Sequence, residues 1–256
     1  MRDDVTLVTG AGSGIGRAVA LHQAAAGRPL ALLDTDEPAI RRVAAEAEDL
    51  GAPGALPITA DISSESAVTD ALAQCRASLG VPTRVVANAG IEIVRKAHET
   101  TLAEWARVID VNLTGTFLTC REAIRLLLEE GLTGSLVCVS SPSAFVGFAA
   151  GSNSAYGSSK GGISALVRAL AIDYAQAGVR VNGVVPGATA TPLLDVTAHG
   201  QDLAERARTQ IPLGRLARPE EIAEAVDWLL GPRSSYVTGT HLHVDGGLTA
   251  RGANDF

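Results

Sequence analysis

Short runs of β-branched and aliphatic residues alternate along this chain with longer stretches whose apolar positions recur at helical spacing. The runs near 5–9, 29–33, 55–60, 83–87, 135–140, 179–185 and 240–244 are five to seven residues long, the length of buried strands. The segments between them read as helices and carry ordinary start signals: Pro38, a Thr101/Glu104 capping box, and Pro219 before E-E-I-A-E-A-V. Strands alternating with helices predict an α/β fold, a doubly wound seven-stranded parallel sheet with helices on both faces. No linker, repeat or low-complexity tract divides residues 1–256, so one domain is expected.

Charge and composition narrow the function classes. Against 21 Lys and Arg stand 28 Asp and Glu, a net charge of −7, and the basic residues are scattered, which argues against nucleic acid as a partner. The acidic start M-R-D-D runs directly into a strand pattern and is not read as a signal peptide. No apolar run approaches the roughly 20 residues that span a bilayer, so no membrane role is expected. Cys75, Cys120 and Cys138 are odd in number, lack metal-ligand spacing and sit in helix or strand patterns; with five unpaired histidines they imply no metal site and a cytoplasmic setting.

Two motifs carry chemistry. The first, V-T-L-V-T-G-A-G-S-G-I-G-R-A-V-A, is a strand turning into a helix through Gly10, Gly12, Gly14 and Gly16, with Gly27 ending the helix. Glycines there let backbone approach a pyrophosphate, and the helix N-terminus offers free N–H groups. The spacing is T-G-x-x-x-G-x-G rather than G-x-G-x-x-G, because Ile15 stands where a glycine would be needed. The second motif, Y-G-S-S-K, puts Tyr156 and Lys160 on one helical face. A nearby cation favours a phenolate, and moving the phenol from about 10 to about 7 takes roughly 4 kcal/mol.

With these motifs in order, followed by Asp61 and Ile62, N-A-G at Asn88, Ala89 and Gly90, V-N-L-T-G with Asn112, V-S-S, V-V-P-G at Pro186 and Gly187, T-x-T-P, Y-V-T-G and V-D-G-G, the chain resembles a classical short-chain dehydrogenase/reductase over nearly its whole length. That resemblance implies a Rossmann fold, with residues 1–95 mainly holding cofactor and 96–256 carrying catalysis and substrate. It implies hydride exchange between nicotinamide C4 and a secondary alcohol or ketone, and a tetrad of Asn112, Ser141, Tyr156 and Lys160. Tyr156 would move the proton, Lys160 would lower its pKa and hold the nicotinamide ribose, Ser141 would bind the substrate oxygen, and Asn112 would hold a helix kink and a water.

For the cofactor the resemblance implies contacts from Gly10, Ser13, Gly14, Ile15, Gly16, Asp34, Asp61, Ile62, Asn88, Ala89, Gly90, Pro186, Gly187, Thr189 and Thr191, besides Tyr156 and Lys160. Asp34 ends the second strand, where a carboxylate can bind ribose hydroxyls and repel a 2′-phosphate, and position 13 is Ser rather than a base, so NAD is favoured over NADP. Asp36 fits a helix cap better than Asp34 does. Counting thirteen residues back from Tyr156 points to Ser143 as the active serine; counting forward through S-S to Gly147 points to Ser141, which is preferred because loops absorb insertions. Thr189 replaces the usual aliphatic residue in P-G-x-I-x-T-P. The 148–155 loop and the 193–213 segment, with Leu193, Leu194, Asp195, Val196 and His199, are expected to wall the substrate pocket, helped by Glu92 and Ile93. His199 is read as a loop residue, and Trp105, Phe145 and Phe148 as packing residues. Relatives of this type imply a homotetramer through helices near 101–129 and 155–177. Reduction of a ketone in a biosynthetic pathway, in the manner of a 3-oxoacyl reductase, and a non-catalytic nucleotide sensor are the other readings.

Overall fold

A computed structural model describes residues 4–148, 152–197 and 203–252. Seven strands, β1 (Thr6–Thr9), β2 (Leu30–Asp34), β3 (Ala55–Thr59), β4 (Arg84–Ala87), β5 (Gly134–Val139), β6 (Val179–Pro186) and β7 (His241–Val244), form one sheet in the order β3-β2-β1-β4-β5-β6-β7. All six pairings are parallel. Each strand end falls within one residue of the sequence expectation, and the central strands, short apolar runs buried on both faces, have little freedom to slide.

The helices, in chain order, are α1 (Gly14–Ala25), α2 (Glu37–Asp49), α3 (Glu65–Ser78), α4 (Leu102–Ile109), α5 (Gly115–Glu129), α6 (Ser154–Tyr174), α7 (Pro192–Thr197), α8 (Leu203–Gln210) and α9 (Pro219–Leu230). Strand alternation sends neighbouring side chains to opposite cores. Leu7 joins Leu72, Ile124 and Ile163 beneath α3, α5 and α6. Val8 joins Val19, Ile40 and Val226 beneath α1, α2 and α9. The Asp36 side chain accepts from Ala39 N (2.9 Å) and so caps α2, as its position suggested. The Thr101/Glu104 capping box also forms.

The helix expected over 101–129 is interrupted around Asn112, where the resemblance implied a kink. Between α4 and α5 the backbone makes a π-helical turn over Asp110–Thr114, an arrangement that often marks functional sites. Thr116 Oγ1 donates to the Asn112 carbonyl at 2.6 Å and so occupies an acceptor in this irregular turn. Trp105, Phe145 and Phe148, read as packing residues, stand 37%, 45% and 37% exposed; Phe145 packs against His241 edge-on and His243 at a tilt. Local pattern marks these rings as apolar but cannot say which helix or loop face meets the core.

Strand order runs outward in both directions from the β1/β4 pair. Open parallel sheets form their ligand crevice at such a switch point, outside the carboxyl ends of the strands. Both chemical motifs arrive there.

Candidate active site

The glycine-rich turn leaves β1 and enters α1. Gly10 and Gly14 adopt φ of +65° and +52°, which L side chains rarely adopt. A Cβ on Gly16 would stand 2.0 Å from the Gly10 carbonyl oxygen, so the turn closes only around a residue without a side chain. Ser13, the N-cap of α1, makes no side-chain capping bond. First-turn amides thus face outward at the positive end of the helix dipole, a site suited to a phosphate group. The turn is fastened from β4: Asn88 Nδ2 donates to the carbonyls of Thr9 (2.9 Å) and Gly10 (3.2 Å), while Thr9 Oγ1 accepts from the amides of Asn88 and Ala89.

A cleft of about 270 Å³ opens over this turn. Gly10, Ser13, Gly14, Ile15 and Asp34 line one end, and Asp61, Ile62, Asn88, Ala89 and Gly90 continue it. Thr191 closes the far wall with Pro192 and Leu193, the first residues of α7. Of the other residues expected at a cofactor, Gly16 lies behind the turn. Pro186 and Gly187 end β6, where Gly187 N donates to Val244 O (3.0 Å). Thr189 is buried, its hydroxyl donating to Gly187 O (2.9 Å), and Thr191 donates to Thr189 O (3.3 Å).

Asp34 is held from two sides. Its Oδ2 accepts from Gly12 N (2.9 Å), and its Oδ1 accepts from the amides of Thr35 (2.7 Å) and Asp36 (3.1 Å). A Cβ on Gly12 would come within 3.0 Å of that Oδ2, so Gly12 keeps the carboxylate in the cleft wall. Asp61 accepts from the amide and hydroxyl of Ser63, and these bonds, the hydroxyl foremost, hold its carboxyl below the usual range. Arg107 of α4 also lines the cleft and reaches Asp61 Oδ2 at 3.4 Å. Sequence reasoning missed Arg107: an exposed arginine on a short helix gives no signal that it faces a strand end 46 positions earlier.

The four expected catalytic side chains converge from three elements. Asn112 in the π-turn is fully buried; its Oδ1 accepts from Ile91 N (2.8 Å), and its Nδ2 donates to Ile91 O (2.9 Å) and Ser159 Oγ (3.0 Å). Lys160, only 3% exposed, donates from Nζ to Val139 O at 2.8 Å, and a Cβ on Gly90 would come within 3.5 Å of that Nζ. The ammonium stands 5.5 Å from the Tyr156 ring centroid. Burial pulls Lys160 down to about 8, against weaker upward pulls from Cys138 and Glu92.

Tyr156 departs from expectation. Its phenol is pushed above the ordinary value, first by burial and then by the negative charge of Glu92, while contact with the Ser141 hydroxyl opposes the rise. The Lys160 ammonium, 5.5 Å from the ring centroid, donates to the Val139 carbonyl and not to the phenol.

The three serines after β5 separate by partner. Ser140 Oγ reaches the Lys160 carbonyl (3.2 Å) and Ser164 Oγ (2.9 Å), tying the strand to α6. Ser143 Oγ accepts from Asn153 Nδ2 (3.2 Å). Ser141 donates to Ser143 Oγ (3.3 Å) and is the one that touches the Tyr156 phenol. Of the expected substrate walls, Leu193 overhangs the cleft, 38% exposed. Asp195 and Val196 contribute their backbone to α7. His199 and residues 149–151 of the 148–155 loop lie outside the described residues.

Cys75, Cys120 and Cys138 are free and buried, with Cys120 and Cys138 Sγ atoms 3.6 Å apart. Among the described residues no cluster of His, Cys, Asp and Glu has the arrangement of a metal site, and no helix is long and apolar enough to cross a membrane.

A doubly wound sheet with a glycine-lined cleft at its switch point, and a Ser, Tyr and Lys gathered together with the Lys beside Gly90 of that cleft, defines a nucleotide-dependent oxidoreductase type of site. Comparison with known proteins agrees. A family model described as "Enoyl-(Acyl carrier protein) reductase" matches residues 10–249. A cis-4-hydroxycyclohexanecarboxylate dehydrogenase of Sinomonas cyclohexanicum is 40% identical over 96% of this chain and 96% of its own length. A 3beta-hydroxysteroid dehydrogenase 1 of Eggerthella lenta is 36% identical over 97% of this chain and 95% of its own. Among solved structures, a 3-ketoacyl-(acyl-carrier-protein) reductase from Brucella melitensis complexed with NADH superposes with a TM-score of 0.88 at 34% identity, covering 96% of this chain and 98% of that one. The chain belongs to the classical short-chain dehydrogenase/reductase family, whose members are oxidoreductases that bind nicotinamide cofactors.

Proposed function

We propose that this protein is an NAD-dependent oxidoreductase that exchanges a hydride between the nicotinamide and a secondary alcohol or its ketone, with Tyr156 as the proton-transferring residue. The convergence of Ser141, Tyr156 and Lys160, with Lys160 beside Gly90 of the glycine-lined cleft, carries this reading. The bound nicotinamide supplies or accepts the hydride at its C4. Free amides at the start of α1 and the glycines of the turn would hold the pyrophosphate. Asp34 would bind the adenosine ribose hydroxyls, which favours NAD because a 2′-phosphate would meet its carboxylate. Asp61 would meet the adenine edge, Lys160 the nicotinamide ribose, and the backbone of Gly187 to Thr189 the carboxamide.

Ser141 holds the substrate oxygen by a hydrogen bond and Tyr156 gives that oxygen a proton or removes one. Asn112 sets the shape of the π-turn beside Lys160 and fixes the backbone of Ile91. A protonated Tyr156 suits donation to a ketone, and reduction is the second reading. In alcohol oxidation Tyr156 would take the proton as phenolate, a form that the neighbouring Lys160 ammonium favours. The relatives that act on ring hydroxyls support a secondary alcohol as substrate class. An apolar groove on α5 and α6, between Leu113, Phe117, Gly162 and Leu166, supports assembly as a homotetramer, and the protein is proposed to act in the cytoplasm.

The test follows reduced nicotinamide by absorbance, with NAD or NADP and a panel of secondary alcohols, and with NADH or NADPH and the matching ketones. Turnover with NAD(H) in preference to NADP(H) is expected; preference for NADP(H) refutes the assignment of Asp34.

A further inference from the structure

The cleft has two unlike halves. Sheet order β3-β2-β1-β4-β5 puts the glycine turn at its centre, the carboxylates that end β2 and follow β3 on one side, and Lys160 beside Gly90 after β4 on the other. Hydride and proton transfer belong beside Tyr156 and Lys160, so the half of the cofactor that does not react, its adenylate, extends past the turn toward Asp34 and Asp61. Among the described residues one cation lines the cleft, and it stands in that remote half: Arg107.

Arg107 is carried by a helix whose two ends are fixed. The Thr101/Glu104 capping box closes the start of α4, Arg95 adds an ion pair to Glu104 at 3.0 Å, and the far end runs into the π-turn that Asn112 ties to Ile91. Val108 is fully buried while its neighbour Arg107 is exposed, lining the cleft together with Val111. The guanidinium itself is loosely held. Asp61 Oδ2 at 3.4 Å is its one partner among the described residues, and about half of the side chain is exposed, so most of its N–H donors are uncommitted. Asp61 already accepts at Oδ1 from the amide (2.9 Å) and hydroxyl (2.6 Å) of Ser63. An exposed ion pair this long does little for stability, which leaves Arg107 without a structural task.

We propose that Arg107 is a cofactor-binding residue that recognises the adenine base, with Asp61 as its anchor. The assignment rests on the oxidoreductase reading above and deepens it. A guanidinium beside a carboxylate presents donors and an acceptor together, and adenine offers the complement, an amino donor next to ring nitrogens that accept. A planar guanidinium also associates with the face of a base. Charge acts in the same direction. Asp34 and Asp61 put two carboxylates into a cleft that has to receive a pyrophosphate, and Arg107 is the lining residue that offsets them.

The experiment measures the affinity of wild type, Arg107→Ala and Arg107→Lys for NADH and reduced nicotinamide mononucleotide by nucleotide fluorescence, and for ADP-ribose by its displacement of NADH. Because Arg107 is exposed, both variants should fold as the wild type does, which circular dichroism checks. In Arg107→Ala, NADH and ADP-ribose are each expected to bind about five- to thirtyfold more weakly, while the mononucleotide, which has no adenine, keeps its affinity. Arg107→Lys should recover only part of the loss, since an ammonium lacks the planar fork. In turnover the KM for NAD should rise with kcat nearly unchanged. Unchanged ADP-ribose affinity in Arg107→Ala overturns the proposal. So does equal weakening of the mononucleotide, full recovery by lysine, or a wild type that binds none of the three nucleotides. An adenine-dependent loss in Arg107→Ala, in a protein that turns over no alcohol or ketone, supports the role of Arg107 and refutes the oxidoreductase reading instead.

Discussion

Replacing Asn112 by Ala removes three side-chain hydrogen bonds of 2.8, 2.9 and 3.0 Å from a residue with no solvent exposure. A protein hydrogen bond contributes about 1 kcal/mol net, and more is lost where the orphaned partner stays dry. Ser159 Oγ keeps its bond to Tyr156 O (2.7 Å), so it is not stranded. Ile91 is half-buried, and water can reach its amide and carbonyl in part. The expected loss is therefore about 3 kcal/mol, with little added for the small cavity. For a chain of this length that corresponds to a fall in Tm of about 6–12 °C. Urea and thermal unfolding followed by circular dichroism, at one fixed protein concentration so that association contributes equally, would measure it. Asn112→Asp is the discriminating companion: it keeps the acceptor for Ile91 N and loses both donors, and should be destabilised as well. A loss below about 1 kcal/mol for Asn112→Ala would refute the assignment of structural weight to these bonds.

Tyr156→Phe should retain NADH binding within a few-fold while kcat falls by roughly 10²–10⁴, the usual range for general acid–base catalysis; retained turnover would exclude Tyr156 as the proton carrier. Asp34→Ala combined with Ser13→Arg should shift the ratio of kcat/KM from NAD toward NADP, and a wild type that already prefers NADP would contradict the ribose assignment. The burial of Lys160 predicts a pH signature in stability. Its folded pKa of about 8 lies below the unfolded 10.5, so the unfolded state binds more protons between those values and stability conferred through this group rises with pH across that window. The stability of wild type relative to Lys160→Met should therefore increase between pH 8 and 10, by up to about 3 kcal/mol in all, and a flat difference would mean that Lys160 titrates normally.

The seven strands were readable from the chain alone because each is a short run flanked by turn residues, and near-complete burial of the central strands β1, β2, β4, β5 and β6 leaves them little choice of register. The glycine turn was readable for a related reason: Gly10, Gly14 and Gly16 occupy positions where backbone angle or contact with the Gly10 carbonyl excludes a side chain. The kink of the 101–129 helix at Asn112 was implied by the family resemblance and not by local pattern. Its π-turn depends on Asn112 binding Ile91 across 21 positions, a partnership that no local propensity encodes. Arg107 facing Asp61, and the outward rings of Trp105, Phe145 and Phe148, belong to the same class of long-range outcome.

Sequence by itself determined the order of elements, the covered parallel sheet, the residue types of the Tyr156 and Lys160 pair, and the carboxylate that closes β2. These follow from periodicity, from glycine and proline geometry, and from side-chain chemistry at fixed spacing, all of which are local. Tertiary structure alone decided the electrostatics. The i,i+4 spacing suggests a cation lowering a phenol, but burial raises the phenol and lowers the ammonium, and the charge of Glu92 acts on both groups. A pKa depends on the charges and dielectric around a group from every direction, and only the folded chain brings them together.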